Sequence, residues 1–507
     1  MTSDSTKSAV PPLVPSGTPG LDDVMRGGFT ADGLYLIEGD PGSGKTTLAL
    51  QFMLDGVKRG ERCLYVTLSE DEKELRAGAA SHGWSLDGID IFEIRPSEES
   101  LRQDARYTMY HPSEVELAET TKLLLNESAR VKPQRMVLDS LSEFRMLAET
   151  PLRYRRQVLA LKRYFADRGT TSLFIDDKTG SERDLALHSS AQGVFDLVVT
   201  TPPFGATRRQ IQVHKLRGRS FREGLHDFVI RHDGLYVYPR LVAAEHKRSY
   251  ERESIESGIP QLDALLGGGL AKGTSTLVIG PAGTGKSSLA TQFAVAAAAR
   301  GDHAAIYLFD ESVATFIERS SALGMGVEPL IESGRISLRQ IDPAELSPGE
   351  FAHGLRRSIE SDKTQLVVID SLNGYLNATP SEKFLTLHLH ELLTYLGQSG
   401  ATTLLLMTQH GIVGQDMSMP IDASYLADSV VSLRYFEARG EVRQSISVIK
   451  KRTGRHERTI RELRLGNKGL TVGNVVRDFE GVLSGFPRFV GDVAALSAAR
   501  HESGARD

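Results

Sequence analysis

Two lysines, Lys45 and Lys286, each close a glycine-rich run and stand directly before a hydroxyl residue. The runs are Gly39-Asp40-Pro41-Gly42-Ser43-Gly44-Lys45-Thr46 and Gly280 through Ser287 (GPAGTGKS), and both fit G-x-x-x-x-G-K-[ST]. Residues of these types at this spacing can grip a triphosphate. The glycines let successive backbone N–H groups turn inward around phosphate oxygens, at the start of a helix whose dipole favours anions. Gly42, Ser43 and Gly44 would line one loop, and Gly283, Thr284 and Gly285 the other. Lys45 and Lys286 would reach the β- and γ-phosphates, while Thr46 and Ser287 would place a hydroxyl on Mg2+. ATP and Mg2+ are the cofactors this pattern calls for.

Carboxylates complete the chemistry. Asp139 in RMVLDS and Asp370 in LVVIDS end apolar strands, where such sites keep a magnesium-directed carboxylate. A strand-end Asp capping the next turn is the competing reading. Hydrolysis also needs a group that orients or deprotonates the attacking water. Glu70 in TLSED and the pair Asp310-Glu311 in LFDES are the candidates, and an acidic helix start such as Glu70-Asp71-Glu72 is the alternative.

The elements that must position these groups occur twice. Residues 16–52 and 257–293 share one register, because Lys286 minus Lys45 is 241 and Ser257 minus Ser16 is also 241. Glu311 minus Glu70 is again 241, so the repeat extends past the loops. In each copy a short apolar strand enters the glycine loop and a helical pattern follows. Further apolar strands come after it: CLYVTLSE, RMVLDS and TTSLFIDD in the first half, AIYLFDES, LVVIDS and TTLLLMTQ in the second. Continuously apolar strands separated by helical stretches predict a mostly parallel sheet flanked by helices. The fold class is therefore α/β, with two tandem P-loop NTPase domains. A disordered arm is expected over 1–14, domains over 15–245 and 246–490, and a flexible tail over 491–507, with the polar HKRSYERESIE (246–256) at the boundary.

Composition narrows the function class. A formal net charge of −5 gives no general attraction to nucleic acid or anionic membrane, and neither is an expected partner. Cys63 is the only cysteine, which excludes an internal disulfide and a Cys-rich metal site. No apolar run is long enough to span a bilayer, and the first residues lack the pattern of a secretion signal, so a cytoplasmic location is expected.

Late in each half lies a basic strand end, HKLRG (Lys215, Arg217) and IKKRTGRHE (Lys450, Arg452, His456), either solvated charge or donors to a phosphate. With the tandem loops, the S-G-x-x-x-L-D lead-ins and the acidic strand ends, these segments make the chain resemble the KaiC family of tandem RecA-like ATPases. The resemblance runs from about Ser16 to about Val490 and includes EGVLSGFPR (480–488). It implies a hexameric double ring with ATP between protomers, acting with unknown partner proteins in signalling or circadian-type timing. It also implies nucleotide contacts at Thr47, Ser81, Lys215, Leu216, Arg217, Ser288, Lys450, Arg452 and His456. By the same resemblance Asp310 and Glu311 match a Glu-Glu pair whose first member serves autophosphorylation. Ser424 matches a phosphoacceptor, which makes the second domain a Ser/Thr autokinase. Three departures stand out: Ser69-Glu70 for the acidic pair, Phe221 for a histidine, and Tyr425 for a phosphorylatable threonine. A RecA- or helicase-like nucleic-acid-dependent ATPase and an ATP-gated hexameric scaffold without kinase activity are the alternatives.

Overall fold

The computed structural model describes residues 11–94, 112–148, 150–178, 185–202, 204–251, 253–377, 382–409, 424–438, 440–483 and 487–490. Most of the arm (1–10) and all of the tail 491–507 lie outside the described residues. The chain divides into two compact units, Met1–Arg240 and Leu241–Asp507.

Each unit is built on one nine-stranded sheet. In the first, six parallel strands stand in the spatial order Ile89–Glu93, Cys63–Thr67, Arg135–Asp139, Thr171–Asp177, Leu34–Gly39 and Gly193–Thr200. Three antiparallel strands extend the far edge: Arg208–Leu216, Leu225–Arg231 and Gly234–Tyr238. The second unit repeats the order with Ile336–Gln340, His303–Leu308, Thr364–Asp370, Thr402–Thr408, Ser275–Gly280 and Ser429–Ala438. Its antiparallel extension is Glu441–Lys451, Arg461–Gly466 and Gly469–Val475. The parallel part follows from the apolar runs: every residue of Leu34–Gly39 and of Ser275–Gly280 is buried. Helices cover both faces, so each sheet sits between two apolar cores.

The antiparallel edge is a feature the sequence pattern did not resolve. Arg208–Leu216 buries only alternate positions such as Ile211 and Val213, as a half-covered strand does. The units part between Arg240 and Leu241, ahead of the polar stretch read as the boundary. Leu241 and Ala243 are buried in the second unit's core, and the Ala243 N–H donates to Glu391 Oε2 at 3.1 Å.

A charged network is buried in the first unit. Arg135, fully buried in its strand, donates to Phe52 O at 2.7 Å and Pro15 O at 3.1 Å, and pairs with Asp55 at 2.9 Å and with Glu61. Its guanidinium lies 4.6 Å from the Phe52 ring centroid. The register gives the second unit Leu366 at the same place, since Cys63 pairs with Arg135 and Ala304 with Leu366. Removing one partner of a buried network strands the others, whereas an apolar replacement of the whole set is tolerated. Arg135→Leu should therefore destabilise the first unit by about 3 kcal/mol, and adding Asp55→Ala and Glu61→Gln should recover at least half of that. Denaturant titration followed by Trp84, the chain's single tryptophan and a first-unit residue, measures both.

Candidate active sites

The two glycine runs form matching strand–loop–helix cradles. Gly44 and Gly285 take the left-handed conformation, with φ of 101° and 95°, and open the helices Lys45–Lys58 and Lys286–Ala299. That conformation is the one glycine adopts without a steric penalty. Lys45 Nζ donates to Gly39 O and Asp40 O, each at 2.9 Å. Lys286 Nζ donates to Gly280 O at 2.9 Å and Pro281 O at 2.8 Å. Both side chains are buried, so each ammonium is held at the loop by backbone carbonyls.

Beyond those carbonyls the cradles differ. Gly39 pairs in register with Asp177, and Gly280 with Thr408. Asp177 Oδ1 forms an ion pair with Lys45 at 2.8 Å, while Thr408 brings no charge to Lys286. Burial pushes the Lys286 amine down to about 8, opposed only partly by the negative charge of Asp370.

The strand-end aspartates stand beside the loop hydroxyls. Asp139 Oδ2 accepts from Thr46 Oγ1 at 3.2 Å and from the Tyr65 hydroxyl at 2.7 Å. Burial pushes the Asp139 carboxyl up, against those two hydrogen bonds. Asp370 is likewise pushed up by burial, with a hydrogen bond from Ser287 opposing. Each precedes a cis peptide bond, Asp139-Ser140 and Asp370-Ser371. A hydroxyl with an adjacent carboxylate is an all-oxygen donor set, and it fits Mg2+ arriving with phosphates and water on its other positions.

The acidic strand ends resolve into two roles. Asp71, not Glu70, caps the helix Glu72–Ser81: its carboxylate accepts from Glu74 N at 2.7 Å, and Glu74 accepts from Asp71 N at 3.2 Å. Thr67 Oγ1 holds the Glu70 backbone from both sides, at 3.2 Å to its N and 2.7 Å to its O. Desolvation, then the charge of Asp139, pushes the Glu70 carboxyl up. In the second unit Ser312 caps the helix Val313–Ala322, accepting from Thr315 N at 3.1 Å. Asp310 accepts from the Ser371 hydroxyl, and Glu311 pairs with Arg319 at 3.0 Å.

The late basic residues form separate groups. Lys215 Nζ donates to His188 O at 2.6 Å and Ser189 O at 3.1 Å, and Arg217 also donates to Ser189 O. Lys450 Nζ donates to Ser424 O and Ala427 O, both at 2.8 Å, and Arg452 to Tyr425 O at 2.9 Å. The basic pairs thus reach matching positions of the two units, a helix end (Leu185–Ser190) in the first and a turn in the second, while Asp422 and Ala423, ahead of Ser424, lie outside the described residues. Leu216 is buried in the first core, which leaves its backbone as its polar surface. Ser81 Oγ donates to Gly78 O at 2.7 Å at its own helix end. Thr47 and Ser288 follow the loop hydroxyls in their helices, and His456 is half-buried.

Three site residues escaped the sequence reading. Asp177 could have been found, because a parallel partner of Gly39 ending in Asp176-Asp177 must bring a carboxylate to the loop. Arg319 resembles an ordinary helix-surface charge, and Tyr65 an ordinary core aromatic.

The sequence as a whole is similar to known proteins. The family model for the ATPase KaiC matches residues 14–242 and 255–476. The chain is 26% identical over 498 residues to the circadian clock oscillator protein KaiC of Acaryochloris marina, covering 94% of each chain. It is 26% identical over 483 residues to the circadian clock protein KaiC3 of Synechocystis, again over 94% of each. KaiC of Parathermosynechococcus lividus is 25% identical over 487 residues, covering 94% of this chain and 88% of that one.

Two outcomes follow from the unequal lysines. A bound triphosphate restores the charge on Lys286, so binding there takes up a proton once the free amine has lost its own. With Lys45→Ala isolating the second cradle, ATP affinity should be flat below about pH 7 and fall by up to about tenfold per unit above pH 8. Calorimetry in buffers of different ionisation heat would detect that proton. In the first cradle, Asp177→Thr removes a negative charge that competes with phosphate for Lys45. With Lys286→Ala as background, ATP should bind roughly five- to thirtyfold more tightly, the equivalent of about 1–2 kcal/mol.

Proposed function

Because the chain belongs to the KaiC family of ATPases, we propose that it is a two-site ATPase whose second domain also phosphorylates its own Ser424. In this reading it assembles as a hexameric double ring, with ATP between protomers, and serves signalling or circadian-type timing through partner proteins. The observation that carries it is the pair of cradles, each with a carbonyl-held lysine, a loop hydroxyl beside a buried aspartate, and a glutamate that is not the helix cap.

Hydrolysis divides among these groups. The loop N–H groups and Lys45 or Lys286 hold the β- and γ-phosphates and take up the charge that gathers on the leaving oxygen. Thr46 and Asp139, or Ser287 and Asp370, would hold Mg2+, which would supply further neutralisation of that charge. Glu70 or Glu311 orients the attacking water and accepts its proton as the bond to the bridging oxygen of ADP breaks.

For phosphoryl transfer, the Ser424 oxygen replaces water and its proton passes to Asp310. Lys450 and Arg452 grip the carbonyls of the Ser424 turn, which supports the idea that this turn is held for presentation. Lys215 and Arg217 grip the corresponding first-unit helix end at His188 and Ser189, where no serine stands at the Ser424 position. Together with Ser81, Leu216 and His456, these groups would contact a neighbouring protomer's nucleotide. Tyr425 is 52% exposed and serves better as an interface aromatic than as an acceptor.

Incubation with γ-labelled ATP, followed by peptide mass mapping, tests the transfer. Label is expected on Ser424 and should vanish in Ser424→Ala. Undiminished label in that variant rules out Ser424 as the acceptor, and an unlabelled wild type leaves an ATPase alone.

A further inference from the structure

Glu311 is held by a cation whose matching helix position in the first unit is a glycine. Its Oε1 accepts from Arg319 Nε at 3.1 Å, and its Oε2 from Arg319 Nη2 at 3.0 Å, a two-point pairing of planar groups. The remaining arm, Nη1, donates to Ser288 Oγ at 3.3 Å, two residues beyond Lys286 on the helix that follows the phosphate loop. The guanidinium carbon lies 5.1 Å from the Phe316 ring centroid. Both side chains are about a quarter exposed, so the pair is partly sheltered from water.

The helices carrying this position match residue for residue. Val313–Ala322 follows the cap Ser312, and Glu72–Ser81 follows the cap Asp71. Arg319, the seventh residue of its helix, therefore corresponds to Gly78. A Cβ built on Gly78 meets nothing within 4 Å, so that site has room for a side chain and brings no charge to Glu70.

We propose that Arg319 is a positioning residue that restrains hydrolysis in the second cradle by holding Glu311 against the helix of the phosphate loop. This rests on the reading of Glu311 as the group that orients water. A carboxylate with both oxygens engaged by a guanidinium is not free to follow the water. It must leave Arg319 before it can take the proton released as the water oxygen bonds to the γ-phosphorus and ADP departs. The consequence is chemical: water and a serine hydroxyl compete for one γ-phosphoryl group, and slowing the first preserves ATP for the second. The first cradle, with glycine at this position, places no such restraint on Glu70 from this helix.

Exchange of the two residues tests this. With Glu70→Gln silencing the first cradle, ATP turnover by the full-length chain reports the second. Arg319→Gly should raise kcat about five- to tenfold while KM stays within about twofold, and Arg319→Lys, which keeps the charge but loses the fork, should fall between. Arg319→Ala repeats the measurement without a glycine inside the helix. With Glu311→Gln silencing the second cradle, Gly78→Arg should lower kcat of the first. An unchanged or reduced kcat in both Arg319→Gly and Arg319→Ala overturns the restraint. If Glu311→Gln still removes second-site turnover in that case, the assignment of the base survives. Undiminished hydrolysis by Glu70→Gln/Glu311→Gln overturns the base assignment, and the restraint with it.

Discussion

A lysine ammonium buried against two backbone carbonyls is the interaction from which the rest of each site follows. At 2.8–2.9 Å in both units, these bonds hold the amine at the mouth of the loop. They require the strand to end at the first glycine of the run and the helix to start at the lysine. They also require the left-handed glycine between the two, because a side chain there would be strained and would crowd Ile230 or Leu465. Once that turn is fixed, the loop hydroxyl falls next to the strand-end aspartate. The parallel neighbour of the loop strand must then end opposite the first glycine.

Around this constant core the two units vary their charges. The position opposite the first glycine is Asp177 in one unit and Thr408 in the other. The buried strand position is Arg135 in one and Leu366 in the other. The helix position facing the glutamate is Gly78 in one and Arg319 in the other. Each change adds or removes a charge within hydrogen-bond reach of a group in the cradle or of its supporting core. Differences of this kind shift proton affinity and ligand affinity without moving the backbone.

How much of this could be read beforehand depends on distance along the chain. The phosphate loops, Asp139, Asp370, Glu70 and Asp310-Glu311 sit in short contiguous segments whose spacing carries the signal; the 241-residue offset matches the loops, and Glu70 with Glu311, while the shared Asp-Ser strand ends match Asp139 with Asp370. The parallel sheet was legible for the same reason, since apolar runs such as LVVIDS report burial on both faces. Tyr65, Asp177 and Arg319 were not, because their roles come from pairing. Asp177 reaches Lys45 only through a strand register that joins residues far apart, and Arg319 reaches Glu311 only because a cap at Ser312 sets the phase of its helix. The antiparallel edge was hidden by its mixed pattern, and the unit boundary by two small apolar contacts, Leu241 and Ala243, ahead of a conspicuous polar run.

The contrast between constant and variable parts has a physical cause. Carbonyl and N–H groups of the loop cannot be replaced by substitution, so the grip on phosphate survives any change that leaves the glycines and the lysine in place. The groups one contact further out are side chains, and a single substitution there can add or remove a full charge. A duplicated unit therefore keeps its binding geometry by default and changes its chemistry at Asp177, Tyr65 or Arg319. In the proposed reading, divergence at those positions tunes how firmly ATP is held and how readily its γ-phosphoryl group leaves, which are the two quantities that separate hydrolysis from storage and transfer.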